Sequence, residues 1–299
     1  MAFDVVVIGS ANLDLVAQLE HLPKPGQTLL ALGYAEHAGG KGLNQAVACA
    51  RMGAKTAFVG CVGDDDAGRF LHSVLEAEGV DTSLLRLVSE PTGRAFINVD
   101  AHGENAIVVI LGANGFVGVS DGALDKNLVL PQCKVVLAQL EIPQTTISNA
   151  FEQAKKFGAT TVLNPAPAAA ISREIYAVTD IIVPNETEAQ SLGGVDELRR
   201  SGIKTIVVTR GENGAELITT HGTVVLNESF AAYRVTPIDT VGAGDAFIGA
   251  MCAEVARGAS VSEACKLAVV AGALATTRRG AVPSMPKRAA VLEALGNSR

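Results

Sequence analysis

The 299-residue sequence predicts a single α/β domain, built on a mainly parallel sheet and carrying a small inserted β-sheet. Apolar runs rich in Val, Ile and Ala, such as Phe3–Ile8, alternate with helix-patterned stretches, as buried parallel strands and their crossover helices do. Four short strand-like segments, at 13–19, 28–35, 92–100 and 105–111, interrupt that alternation. The βα pattern then runs on without linker, repeat or low-complexity tract. Residues 1–299 are therefore expected to form one domain, with a lid made from about 12–36 and 92–111.

Composition narrows the function classes. Hydrophobic residues are 48% of the chain, enough for a sizeable core, with aromatics at 4% and no Trp. The formal net charge is −7 with no basic block, which argues against nucleic acid and anionic membrane as partners. No apolar run approaches the roughly 20 residues of a membrane span. Met1-Ala2-Phe3-Asp4 lacks the basic region of a signal peptide, so a cytoplasmic location is expected. Cys49, Cys61, Cys133, Cys252 and Cys265 are scattered without CxxC spacing and read as buried small hydrophobes in a reducing compartment.

Gly9 ends the first strand, and Ser10-Ala11-Asn12-Leu13-Asp14 follows at its carboxyl end, where open α/β sheets bind ligands. Asn12 and Asp14 are two apart, so in extended chain both side chains point the same way. That suits paired hydrogen bonds to vicinal sugar hydroxyls; a plain polar turn accounts for them equally well. Strand segments 13–19 and 28–35 are joined through His21-Leu22-Pro23-Lys24-Pro25-Gly26, and 92–100 and 105–111 through Ala101-His102-Gly103-Glu104. Ala95 and Ile97 share one face of the third segment, and Arg94 and Phe96 the other. A sheet of this kind placed over a site excludes water.

Between the two pairs, Ala38-Gly39-Gly40-Lys41-Gly42-Leu43-Asn44 turns into a helix ending near Gly53. It lacks the G-x-x-x-x-G-K-[ST] order of a P-loop, so Lys41 is not read as a Walker lysine. Gly40, Lys41 and Asn44 are candidates for binding hydroxyls or steadying a phosphate. Next, 56–62 reads as a strand and 65–78 as a helix stopped by Gly79. The acidic Gly63-Asp64-Asp65-Asp66 fits helix N-terminal preference better than a metal site.

The strand at 134–140 ends in Glu141, and Pro143 opens the following helix. The strand at 160–163 ends in Asn164-Pro165-Ala166-Pro167, and that at 180–183 in Pro184-Asn185-Glu186-Thr187-Glu188. Asn185 with Glu188 three residues later is close to a capping box, which by itself explains both. The strand at 203–209 runs into Arg210-Gly211-Glu212-Asn213-Gly214, a turn able to lie against a nucleotide, and a hairpin follows around His221-Gly222. A helix from about Ser260 to Ala275 precedes a turn at 276–280.

Most of the chemistry sits in Asp239-Thr240-Val241-Gly242-Ala243-Gly244-Asp245, a small-residue turn leading into an apolar helix. The turn leaves backbone N–H groups open at the positive end of the helix, and glycine lets a phosphate approach closely. Asp245, on the first turn, can accept a hydroxyl proton while the N–H groups hold charge developing on a transferred phosphoryl. A helix that simply starts at a glycine turn and carries an Asp is the structural alternative.

In order and spacing these segments resemble the ribokinase-like (PfkB) family of carbohydrate kinases nearly end to end. The match comprises N-x-D at 12–14, GGKGxNQA at 39–46, Q-L-E at 139–141, N-P-A-P at 164–167 and P-N-E-T-E at 184–188. It continues with T-x-G at 209–211, DTVGAGD at 239–245 and TRRGAxPS at 277–284. The resemblance implies a three-layer sandwich with a mainly parallel central sheet and a β-sheet lid. It also implies transfer of the γ-phosphate of MgATP to the 5-OH of D-ribose. Asn12, Asp14, Gly40, Lys41, Asn44, Glu141 and Asp245 would then bind the pentose, with Ala95 and Ile97 packed on it from the lid. Asn185, Thr209, Gly211, Gly214 and Gly244 would line the ATP site, and Glu188 would reach the Mg²⁺ shell through water. Gly242, Ala243 and Gly244 would form the anion hole, and Asp245 would be the base. A monovalent cation, normally K⁺, is implied at Asp239, Ser284 and the carbonyls of Val241, Ala275, Arg278 and Gly280, a donor set that suits a weakly hydrated ion. The apolar lid face suggests a lid-to-lid homodimer.

Two places depart from the family pattern. The segment between Leu192 and Ile203 is shorter, which bears on peripheral adenine contacts, and Arg210 stands where an apolar residue is usual. Readings that keep the fold are a kinase for deoxyribose, a nucleoside or a hexose, or a non-catalytic sugar sensor. Nothing in a sensor requires Asp239 and Asp245 together. No G-x-G-x-x-G follows the first strand, which excludes a dinucleotide-binding oxidoreductase.

Overall fold

The computed structural model describes residues 3–120, 123–124 and 129–296. In chain order it has β1 (Phe3–Ile8), β2 (Asn12–Gln18), β3 (Gly33–Gly39), α1 (Lys41–Arg51), β4 (Thr56–Gly63), α2 (Asp66–Ala77), β5 (Asp81–Val88), β6 (Gly93–Val99) and β7 (Asn105–Ile110). The two-residue β8 (Val119–Ser120) and β9 (Ala123–Leu124) follow, then β10 (Cys133–Gln139), α3 (Gln144–Lys156), β11 (Thr160–Asn164), α4 (Arg173–Val178), β12 (Ile181–Ile182), α5 (Glu186–Ser191) and α6 (Val195–Arg200). The chain closes with β13 (Thr205–Thr209), β14 (Ala215–His221), β15 (Val224–Phe230), α7 (Ala243–Ala256), α8 (Val261–Ala275), α9 (Ala281–Ser284) and α10 (Arg288–Gly296).

Alternate residues of the inner strands serve two different cores, which is why these strands read as unbroken apolar runs. Val5 and Val7 of β1 join Leu43 and Val47 of α1 and Ala250 and Met251 of α7. Val6 and Ile8 join Ile147 and Phe151 of α3 on the opposite face. The result is a helix–sheet–helix sandwich. Its nine-stranded sheet has the order β15-β14-β13-β12-β11-β10-β1-β4-β5, parallel from β13 to β5, with the antiparallel hairpin β14–β15 at one edge.

A second sheet, β3-β2-β6-β7, stands apart from the first. β2 runs antiparallel to β3 and parallel to β6, and β6–β7 is the hairpin expected around 101–104. One strand lies elsewhere than expected: β3 covers Gly33–Gly39, not 28–35. Leu30 and Leu32 are 93% and 73% exposed, so the apolar character that suggested a strand at 28–35 is not matched by a buried face. Pairing with β2 over Asn12–Gln18 fixes β3 later, where Gly39 leads through Gly40 into α1. All five cysteines are buried and free. No helix among the described residues is long and apolar enough to cross a membrane.

Candidate active site

Five parallel strands deliver polar groups to one edge of the sheet. β1 leads to Ser10 and Asn12, β10 ends at Gln139 just before Glu141, β11 ends at Asn164, β12 leads to Asn185 and β13 ends at Thr209. This is the carboxyl edge, where open parallel sheets leave room for ligands.

Asp245 arrives there on α7, and its geometry depends on how closely α7 crosses α1. A Cβ added to Gly249 would lie 2.3 Å from Ala48 Cβ and 2.9 Å from Cys49 N, so only glycine permits the crossing. One turn back along each helix stand Asp245 and Asn44, where the side chains meet. Asn44 Nδ2 donates to Asp245 Oδ2 at 3.0 Å, and Gln45 Nε2 donates to Asp245 Oδ1 at 2.8 Å. Gln45 is itself clamped: its Nε2 also reaches Asn164 Oδ1 at 3.0 Å, and Gln139 Nε2 donates to its Oε1 at 2.6 Å. Asn164 Nδ2 donates to the carbonyl of Val183 at 3.0 Å, which fixes the direction of the chain. Burial pushes the half-buried Asp245 carboxyl up, with Glu141 adding to it. Lys41 and the two amide donors pull the other way.

Asn12, Asp14 and Ala95 occupy the same side of the small sheet. Gly39 and Gly93 flank Asn12 in the register, and Asp14 pairs with Ala95. The two glycines make the space: a Cβ on Gly39 would meet the Asp14 carboxylate at 2.1 Å, and one on Gly93 would meet Asn12 Oδ1 at 2.3 Å. Ala95 is 5% exposed and Ile97 partly buried, while Phe96 on the other face is 45% exposed. Burial pushes the Asp14 carboxyl up to about 7, reinforced by the charges of Glu141 and Asp245.

Glu141 is oriented by Ser10 Oγ at 2.5 Å and by the backbone N–H of Lys41 at 3.0 Å. Gly40 takes φ 88°, and a Cβ there would lie 2.8 Å from Asn12 N, so the loop before α1 packs directly on the start of β2. Burial lowers the affinity of the Lys41 amine for its proton, but the carboxylates of Asp245, Glu141 and Glu188 outweigh that and raise its pKa. Three carboxylates thus surround one ammonium group, an arrangement able to accept several hydroxyl protons in hydrogen bonds.

The turn before α7 is shaped by Gly242 in the left-handed region, φ 77°, with Ala281 Cα only 2.9 Å from where a Cβ would stand. The N–H of Ala243 bonds Thr240 O at 3.3 Å. Those of Gly242, Gly244 and Asp245 have no protein acceptor among the described residues and open beside the Asp245 carboxylate. Asp239 ties two turns together, accepting from Val241 N at 3.0 Å and from Gly280 N at 2.8 Å. Ala275 closes α8 just before the second of these turns, which contains Arg278, and Ser284 is 2% exposed in α9.

On the third side, Asn185 is the N-cap of α5 in a complete capping box with Glu188. It also bridges to Thr209. Burial raises the Glu188 carboxyl, opposed by the Asn185 N–H and Lys41. Gly211 and Gly214 both take positive φ. Gly214 packs so tightly on Phe230 O that a Cβ would sit 1.9 Å away, which explains that glycine structurally. Arg210 pairs with Glu216 across the hairpin and lies 3.8 Å from Glu186. The segment between Leu192 and Ile203 holds the six-residue α6, entered through two positive-φ glycines, Gly193 and Gly194.

Ser10, Gln45, Asn114, Gln139 and Asn164 complete the site and had not been singled out. Gln45, Gln139 and Asn164 sat inside the motifs quoted above, whereas Asn114, in the single-turn segment Gly112–Phe116, carried no signal.

The chain matches the family described as pfkB family carbohydrate kinase over residues 2–288. A ribokinase from Haemophilus influenzae is 38% identical over 304 residues, covering 97% of this chain and 98% of that protein. A deoxyribokinase from Salmonella typhimurium is 37% identical over 298 residues, covering 95% of each. A solved ribokinase from Arabidopsis thaliana, complexed with ribose and ATP, matches with a TM-score of 0.86 at 32% identity, covering 99% of each chain. This chain therefore belongs to the pfkB family of carbohydrate kinases, as a transferase of the ribokinase type.

Proposed function

We propose that the chain transfers the γ-phosphoryl group of ATP to the 5-hydroxyl of D-ribose, giving ribose 5-phosphate and ADP. The observation that carries this reading is the Asp245 carboxylate, held by Asn44 and Gln45 beside the open N–H groups of Gly242, Gly244 and Asp245. The sugar oxygen attacks phosphorus, the bond to the leaving ADP oxygen breaks, and the hydroxyl proton passes to Asp245. The N–H groups hold the charge on the moving phosphoryl. Asn12, Asp14, Gly40, Lys41, Asn44 and Glu141 bind and orient the sugar, and Ala95 and Ile97 cover it. Asn185, Thr209, Gly211, Gly214 and Gly244 line the nucleotide side.

Among the described residues no three His, Cys, Asp or Glu side chains form a metal cage. Mg²⁺ carried in by ATP keeps its waters and takes one or two carboxylates plus phosphates, so a single carboxylate on the nucleotide side is enough for it. Glu188 is the carboxylate we assign to its shell. When bound, Mg²⁺ neutralises charge on the phosphates. Asp239 bracing two turns supports a K⁺ site at Asp239, Ser284 and the carbonyls of Val241, Ala275, Arg278 and Gly280. The exposed apolar lid residues support a homodimer, and five buried unpaired cysteines support a cytoplasmic location.

A second reading, 2-deoxyribose as acceptor, is favoured by the deoxyribokinase relative. ADP release with ATP, Mg²⁺ and ribose, deoxyribose, fructose, adenosine or pseudouridine distinguishes the readings, run in K⁺ and in Na⁺. Ribose should turn over best. Asp245→Ala should fold and bind sugar but lose about 10²–10⁴-fold in kcat; retained turnover would overturn the mechanism.

A further inference from the structure

Asn114 has none of its surface exposed, and its orientation admits one reading. The backbone N–H of Ala11 donates to Asn114 Oδ1 at 2.9 Å, and a backbone N–H can only donate, so the amide oxygen must stand there. Asn114 Nδ2 then donates to the Ala11 carbonyl at 3.3 Å and to Asn12 Oδ1 at 2.7 Å. Asn12 must therefore present its oxygen to Asn114, which turns its NH₂ group the other way. Among the described residues that NH₂ group has no protein acceptor. Gly93 keeps the contact open, since a Cβ there would lie 2.1 Å from Asn114 Nδ2. Asp14 stands on the same face of β2, its carboxylate over Gly39.

We propose that Asn114 is a positioning residue that locks Asn12 as a hydrogen-bond donor toward the sugar. Asn12 and Asp14 then recognise neighbouring hydroxyls with opposite polarity, one through its oxygen and the other through its hydrogen. This rests on the sugar-kinase reading above. Asn114→Asp keeps the acceptor for Ala11 N–H but removes the donor to Asn12. The Asn12 amide then rotates to give its NH₂ to the new carboxylate and shows its oxygen to the sugar. Asn114→Ser likewise keeps an acceptor and lacks the NH₂ group.

The test is calorimetric binding of ribose, 2-deoxyribose and 3-deoxyribose to the wild type, Asn12→Ala, Asn114→Asp, Asn114→Ser and each Asn12/Asn114 double variant. The Asn114 variants should bind ribose about tenfold more weakly, the scale of one lost hydrogen bond, with KM for ATP unchanged. The deoxy position that costs the wild type affinity should cost them much less. Each double variant should bind no more weakly than Asn12→Ala. Losses that add in the double variants, or Asn114 variants that keep the wild-type preference, would overturn the proposal while leaving the sugar reading standing. A wild type that binds none of these sugars takes both down. Should the Asn114 variants not fold, side-chain amide NMR of the wild type decides. The Asn12 NH₂ signals, assigned by their loss in Asn12→Ala, should move on adding ribose, and unmoved signals would overturn the assignment.

Discussion

Gln45 Nε2 stands 2.8 Å from Asp245 Oδ1 and 3.0 Å from Asn164 Oδ1, so one fully buried amide links the proposed base to the end of β11. Its hydrogen bond is among the contacts that pull the Asp245 carboxyl down against burial. Gln45→Leu keeps the bulk and removes the donor. A hydrogen bond to a charged group is worth about 1.5–3 kcal/mol, so kcat should fall roughly 10–100-fold. With that donor gone the carboxyl holds its proton more tightly, and the acid limb of the pH–rate profile should move to higher pH. An unmoved limb would show that Gln45 only packs.

Asp14 makes ligand-free stability depend on pH. Its carboxyl titrates at about 7 in the folded chain, through burial first and then Glu141 and Asp245. An unfolded Asp titrates near ~3.9, so between about pH 4 and pH 7 the folded chain keeps a proton that the unfolded chain has released. Stability from this group is therefore greatest at the low end and falls as pH rises through the window. Thermal unfolding at pH 5 and pH 8 should show a larger drop in Tm for the wild type than for Asp14→Asn. Equal drops would count against the burial of that charge.

Asp239 should couple the proposed anion-binding turn to the proposed cation. Asp239→Asn retains an acceptor but loses the charge and one of the contacts to Val241 N and Gly280 N. The wild type should run faster in K⁺ than in Na⁺, and the variant should run at one slow rate in both. A variant still stimulated by K⁺ would move the cation site elsewhere.

The small sheet leaves Ile107, Val108, Val109 and Ile110 of β7 between 44% and 64% exposed, together with Phe96 and Tyr34. An apolar surface of that kind marks an association site, and β7 is also an unpaired edge. Sedimentation should give a dimer for the wild type and a monomer for Ile107→Asp or Val108→Asp, which place a charge on either face. A wild-type monomer at every concentration would remove the dimer.

Much of this architecture was legible because it is local. Unbroken apolar runs located β1, β10 and β13, and the Asn185–Glu188 spacing foretold a capping box that the structure contains. The strand at 28–35 failed for the opposite reason. Its apolar residues have no buried face, and the pairing that sets β3 is made with β2, outside the segment itself. Arg210 was equally undecided until β14 brought Glu216 across from it.

By itself the sequence determined the βα alternation, the inserted small sheet and the glycine turns, and it nominated the residues proposed for the chemistry, since each depends on neighbours a few positions away. Tertiary structure alone decided how those residues are held. Gln45 meets Asp245 across 200 residues of chain, and Asn114 meets Asn12 across 102. The first contact exists because Gly249 lets α7 lie against Ala48, and the second because Gly93 leaves a space beside Asn12. Whether an amide donates or accepts is set by the backbone group it faces. That group is chosen by how the chain crosses itself, which no local spacing records.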